Sequence, residues 1–183
     1  FMPGLGALAD GEAALVHGGA GGVGTAAIAL LCEAGLRSFV TAGGAEKCRR
    51  CVALGATAAI DSRSEDFASR VRELTDGRGV DVVLDHIGAR YLAQNLAALA
   101  TGGRLVEIGL MGGARAEISL ADLLIRRLAV IGSTLRARLR RTTGCWSGRW
   151  PSRRRQRWRL SAVRRSSSRP AGRCWGRPCV GRC

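Results

Sequence analysis

Ala13-Ala-Leu-Val-His-Gly-Gly-Ala-Gly-Gly-Val-Gly-Thr25 decides how this chain folds. An apolar run of strand type passes into Gly19-x-Gly21-x-x-Gly24, and residues 23–34 then carry an apolar helical pattern. Strand, glycine turn and helix in that order place a phosphate site at the turn. Gly19 permits the tight turn from strand to helix. Gly21, without a Cβ, lets backbone approach a pyrophosphate, and Gly24 lets the helix press against the strand. The helix beginning near Gly22 and Val23 presents its free N–H groups and positive dipole end to the phosphates.

Working outward, apolar β-type runs at 13–17, 38–41, 58–60, 80–85, 104–108 and 128–132 alternate with helical patterns at 23–34, 45–54, 65–74, 91–100 and 120–126. Such alternation implies βαβ units and a parallel sheet. The strands are continuous apolar runs, Val80-Asp-Val-Val-Leu84 most plainly, which suits burial on both faces. The expected fold is α/β, a doubly wound parallel six-stranded Rossmann sheet over residues 12–138. Residues 1–11 read as a remnant of an interdomain segment, and 139–183 as an irregular or disordered basic tail.

The glycines also satisfy Gly18-x-x-x-Gly22-x-Gly24, the spacing of short-chain dehydrogenases. Those enzymes need a Tyr-x-x-x-Lys pair. The sole tyrosine, Tyr91, is followed at that spacing by Asn95, and the sole lysine is Lys47; that reading fails. A site for NAD usually carries an acid at the end of the second strand. Here Thr41-Ala-Gly-Gly44 has none, and Lys47, Arg49 and Arg50 follow on the next helix. Cations at a helix N-terminus oppose its dipole unless an anion docks among them. Thr41, Gly43 and Lys47 therefore enter the cofactor set, and NADPH is favoured over NADH.

The segments Leu15-Val-His-Gly-Gly-Ala-Gly-Gly-Val-Gly-Thr-Ala-Ala27, Val40-Thr-Ala-Gly-Gly-Ala-Glu-Lys47, Leu54-Gly-Ala56, Gly79-Val-Asp-Val-Val-Leu-Asp85, Gly103-Arg-Leu-Val-Glu-Ile-Gly-Leu-Met-Gly-Gly113 and Gly132-Ser-Thr-Leu-Arg136 together resemble the cofactor-binding domain of quinone oxidoreductases. These are zinc-free members of the medium-chain dehydrogenase/reductase superfamily, and the p53-inducible type is most similar. The resemblance implies hydride transfer from NADPH to a quinone or enone. It maps the family's glycine loop onto Gly21, Gly22 and Val23 and its 2′-phosphate lysine onto Lys47. The nicotinamide side falls on Ile108, Gly109 and Leu110, with Asp85 and Gly88 at the end of the fourth strand. Where the family often has Asn-Tyr-Arg, this chain reads Asp61-Ser-Arg63, so Ser62 can hydrogen-bond but the stacking ring is lost. The resemblance further implies a homodimer through the strand-six edge.

The ends depart from the family. Its members carry a separate substrate domain before the Rossmann domain, so this chain reads as incomplete and inactive alone, and no catalytic residue is named in it. The net charge of +15 is uneven: residues 1–138 hold 15 Lys+Arg and all 14 acids, whereas 139–183 hold 14 Arg and no acid. Without lysine, acid or period, the tail reads as a frameshift product of a GC-rich gene. An alternative is a non-enzymatic binding module whose basic tail contacts nucleic acid; an unpatterned tail makes nucleic acid a poor candidate partner. Seven cysteines include Cys48-x-x-Cys51, but no second pair completes a zinc site, so no metal is expected and the cysteines read as reduced. His17 reads as a packed or backbone-bonded strand residue, and His86 as lying near the cofactor edge. Lacking a signal peptide or an apolar run of membrane length, the chain reads as cytoplasmic and away from membranes.

Overall fold

The computed structural model describes residues 8–134. Expectations for 1–7 and 135–183, the unpatterned tail included, lie outside the described residues.

The elements follow the expected order: β1 (Ala13–Val16), α1 (Gly22–Glu33), β2 (Arg37–Ala42), α2 (Ala45–Ala53), β3 (Ala58–Asp61), α3 (Phe67–Leu74), β4 (Val80–Asp85), α4 (Leu92–Ala98), β5 (Leu99–Glu107), α5 (Leu120–Arg126) and β6 (Ala129–Gly132), with a 3-10 turn at Ala89–Tyr91. The six strands form one sheet in the order β3-β2-β1-β4-β5-β6, and every pairing is parallel. This is the doubly wound Rossmann order.

The strands carry unbroken apolar runs because both faces are covered. Successive side chains point to opposite faces. Leu15, Phe39, Val83 and Leu105 join one core with Phe67 and Val71 of α3 and Leu96 of α4. Their neighbours Val16, Val40, Leu84 and Val106 join a second with Ile28 of α1 and Cys51 of α2. All six residues of β4 are buried.

One boundary differs from the sequence reading by more than two residues, the others by two at most. Residues 99 and 100 were expected in a helix and β5 from 104, yet α4 stops at Ala98 and β5 begins at Leu99. Leu99 pairs with Val80 and Arg104 with Val82, so the residues between loop out of the ladder around Gly102, whose φ is 79°. Strand pairing overrides the local helical pattern there. Asp66 starts α3, its carboxylate accepting N–H bonds from Ala68 and Ser69 at 3.3 Å each. Cys48 and Cys51 are free thiols. No helix among the described residues is long and apolar enough to cross a membrane.

Candidate functional site

Because all strands run one way, the turns after β1, β2, β4 and β5 gather at one edge. The strand order reverses between β1 and β4, and ligands of such sheets bind in the crevice at that point.

The turn after β1 is built from close backbone contacts. Gly19 N–H donates to Thr41 O and Gly21 N–H to Gly18 O, each at 2.8 Å. A Cβ on Gly24 would stand 2.3 Å from Gly18 O and 2.5 Å from Gly19 Cα; the helix presses on the turn, as expected. The tight-turn role, however, belongs to Gly18, whose φ is 62°, and not to Gly19. Gly19 must be small for packing, since a Cβ there would meet Val40 and Cys51 within 3.0 Å. Around Gly22 the space is open. Gly21 precedes α1 without a capping side chain, and the N–H groups of Gly22, Val23 and Gly24 have no partner among the described residues. Three unpartnered donors at the positive end of a helix make an anion cradle.

A second group surrounds the turn after β2. Asp61, closing β3, accepts the Gly44 N–H at 2.8 Å and the Arg63 N–H at 3.0 Å. Those two bonds hold its carboxyl below the usual range. They also turn Arg63 over the glycines: a Cβ on Gly43 would lie 3.2 Å from Arg63 Nε. Lys47 is exposed in the first turn of α2, while Arg50 is engaged by Glu46 at 2.5 Å. Ser62 donates both N–H and Oγ–H to Ala42 O, at 3.0 and 3.3 Å, so its hydroxyl proton ties β3 to β2. Arg63 escaped the sequence reading because nothing local distinguishes it from other surface arginines.

Two candidates prove to be buried supports. Thr41 is buried; its Oγ1 accepts the Gly18 N–H at 3.3 Å and lies 2.9 Å from His17 Nδ1. Asp85 is fully buried. It accepts the Ile87 N–H at 2.6 Å, the Gly88 N–H at 3.1 Å and the Asn95 amide at 2.8 Å. Asn95 Oδ1 in turn lies 2.7 Å from His17 Nε2. His17 is packed, against Phe67 and Tyr91 with ring centroids at 4.8 and 5.0 Å, and its N–H donates to Leu84 O at 3.1 Å, while its ring nitrogens meet side chains. Burial lowers its pKa.

Beside Asp85, its register partner on β5, stands Glu107. Burial and the Asp85 charge push the Glu107 carboxyl up to about 7. Its Oε2 is buried without a partner, a setting that favours the neutral acid. A carboxylate closing each of two apolar strands was the visible signal for this pair.

The turns after β4 and β5 are interlocked. Ile108 N–H donates to Asp85 O at 2.7 Å and Met111 N–H to His86 O at 3.1 Å. A Cβ on Gly109 would lie 3.0 Å from His86 O, one on Gly88 2.7 Å from Gly113 O. The His86 ring lies against Gly18, where a Cβ would be 2.6 Å from its Cε1. Leu110 and Val23 are exposed. Thus the glycine turn, Gly43, Lys47, Gly88 and 108–110 share one edge, while Thr41 and Asp85 stand beneath it. No group of three or more His, Cys, Asp or Glu among the described residues could hold a metal ion.

The family model for zinc-binding dehydrogenases matches residues 22–148. The chain belongs to that family. A phenolphthiocerol/phthiocerol polyketide synthase of Mycobacterium tuberculosis is 43% identical over 105 residues, covering 57% of this chain and 5% of that protein. The phthioceranic/hydroxyphthioceranic acid synthase of Mycobacterium bovis is 48% identical over 100 residues, covering 54% of this chain and again 5% of the relative. The chain therefore spans about one twentieth of the curated relatives it matches. Among solved structures, one assigned as an enoyl reductase domain of a polyketide synthase is 36% identical, covers 75% of each chain and superposes with a TM-score of 0.66. The Escherichia coli quinone oxidoreductase complexed with NADPH is 32% identical, covering 69% of this chain and 39% of that one, with a TM-score of 0.64.

Proposed function

We propose that this dehydrogenase-family domain is the NADPH-binding half of a reductase acting on a quinone or an α,β-unsaturated carbonyl compound. The observation that carries the reading is the cradle of three unpartnered N–H groups at Gly22, Val23 and Gly24, with open space over Gly22. A diphosphate is the ligand that fits such a helix end.

Lys47 and Arg63 supply the cations for a 2′-phosphate beside Gly43, where a carboxylate would instead select the free ribose hydroxyls. Gly43 lets that group approach the backbone beneath the Arg63 guanidinium. Ile108, Gly109 and Leu110 line the nicotinamide side with Gly88. When bound, NADPH supplies the hydride; the chain's own residues bind, orient and shield it. The solved enoyl reductase domain and quinone oxidoreductase support electron-poor C=C or quinone acceptors, the p53-inducible type of quinone oxidoreductase being one form. The substrate-facing wall comes from outside the described residues, so turnover belongs to the whole protein carrying this domain. β6, one edge of the sheet among the described residues, with half-exposed Val130, is the place for a second copy to add its strands.

Calorimetric titration of the full chain with NADPH and NADH tests this. Saturable NADPH binding, tighter than NADH by about a hundredfold from two charge-assisted phosphate contacts, is expected. A folded chain that binds neither overturns the proposal.

A further inference from the structure

We propose that Thr41, His17 and Asn95 are positioning residues of the dinucleotide site: one buried hydrogen-bond chain through them locks the glycine turn after β1 to the turn after β4. It runs from the Gly18 N–H to Thr41 Oγ1, to His17, to Asn95 and to Asp85, which also holds the N–H groups of Ile87 and Gly88.

The direction of every proton in the chain follows from its acidic end. A carboxylate only accepts, so Asn95 turns its Nδ2 to Asp85. Its Oδ1 then faces His17, and His17 Nε2 must carry the hydrogen. Burial keeps the imidazole neutral, leaving Nδ1 as a bare lone pair. The Thr41 hydroxyl donates to that lone pair, and its oxygen is left to accept the Gly18 N–H. Flipping Asn95 would set its carbonyl against the Asp85 carboxylate, two acceptors facing each other. One arrangement satisfies all members, and an unsatisfied buried member is costly.

The chain links β2, the turn after β1, α4 and β4. Thr41, His17, Asn95 and Asp85 are each 2% exposed or less, so none can contact a cofactor. Their effect is on the two turns that hold its ends. Thr41 grips the first turn twice, since its carbonyl also accepts the Gly19 N–H. The affinity arm of the test rests on the NADPH reading above; the other arms do not.

The test uses the full chain as wild type, Thr41→Val, Thr41→Ser and Asn95→Leu, with thermal melts to confirm folding. Long-range ¹H–¹⁵N spectra should show wild-type His17 as the Nε2–H tautomer. Asn95→Leu should release that tautomer and speed amide exchange at Gly18, across the sheet from the substitution, by about tenfold, the worth of one hydrogen bond. Thr41→Val should speed exchange at Gly18 and, remotely, at Ile87 and Gly88, and weaken NADPH by about tenfold. Thr41→Ser, which restores the hydroxyl, should return both to within about threefold of wild type. An Nδ1–H tautomer in the wild type overturns the proposal. So does a folded Asn95→Leu with unchanged exchange at Gly18. If Asn95→Leu does not fold, the Thr41 pair decides through Ile87 and Gly88. If the wild type binds no NADPH, the cofactor reading falls, and tautomer and exchange still decide the chain.

Discussion

Asp85 and Glu107 sit side by side at the ends of β4 and β5, and burial together with the Asp85 charge pushes the Glu107 carboxyl up to about 7. Asp85 is committed to the N–H groups of Ile87 and Gly88. Glu107 Oε2 has no such partner, and the raised carboxyl gives this end of the sheet one uptake site near neutral pH.

That uptake has a sign. Between its ordinary range and about 7, Glu107 is ionised in the unfolded chain and protonated in the folded one, so the folded state binds more protons. Stability then falls as pH rises through that window and levels above it. Glu107→Gln removes the loss. Its stability advantage over wild type should grow by about 1 kcal/mol from pH 5 to pH 8, a figure reduced for partial solvent access. Urea unfolding of both proteins at both pH values measures it; a constant difference would rule out proton uptake by Glu107.

His17 acts the other way. Its pKa is lowered by burial, so below about pH 6.5, the ordinary imidazole value, the unfolded chain takes up a proton that the folded chain does not. Stability from this residue is complete above that pH and drains below it. In the Glu107→Gln background, where the opposing slope is gone, stability should fall steadily from pH 6.5 to pH 5.

Gly24→Ala should destabilise the domain by about 2 to 3 kcal/mol, because its Cβ meets backbone at 2.3 Å and backbone cannot yield as a side chain does. Gly22→Ala should change stability by less than about 0.5 kcal/mol, there being nothing near its Cβ. The same Gly22→Ala should weaken NADPH, since its methyl group occupies the open face. Thermal melts and titration of the two variants separate the structural glycine from the ligand-facing one.

Lys47→Ala and Arg63→Ala should each weaken NADPH about tenfold and leave NADH unchanged, the loss expected for a charge-assisted contact. Equal losses for both nucleotides would place these cations elsewhere.

Asp66→Ala should cost about 1 kcal/mol, the usual worth of an N-cap. Asp66 also accepts from Ser69 Oγ at 2.6 Å and Gln94 Nε2 at 2.9 Å, linking α3 to α4. Asp66→Asn, which keeps the capping oxygen, should recover most of the loss in denaturant unfolding.

The strand and helix order was legible because it rests on local pattern: buried parallel strands read as unbroken apolar runs, and a glycine turn between strand and helix has few alternative meanings. The start of β5 was not, since the pairing of Leu99 with Val80 depends on a strand far off in sequence. Gly18 and Gly19 exchanged roles for a similar reason. Adjacent glycines look alike in a sequence, and only the neighbours Val40, Cys51 and His86 distinguish them.

At the glycine turn, composition and spacing alone determined that a helix start with free backbone N–H groups follows β1, because that feature is carried by backbone within a few residues. Packing alone settled that Thr41 and Asp85 lie beneath the site and that Arg63 lies over Gly43. Side-chain hydrogen bonds between Thr41, His17, Asn95 and Asp85 join β2, the turn after β1, α4 and β4. Such a circuit exists only once the sheet has brought those elements together.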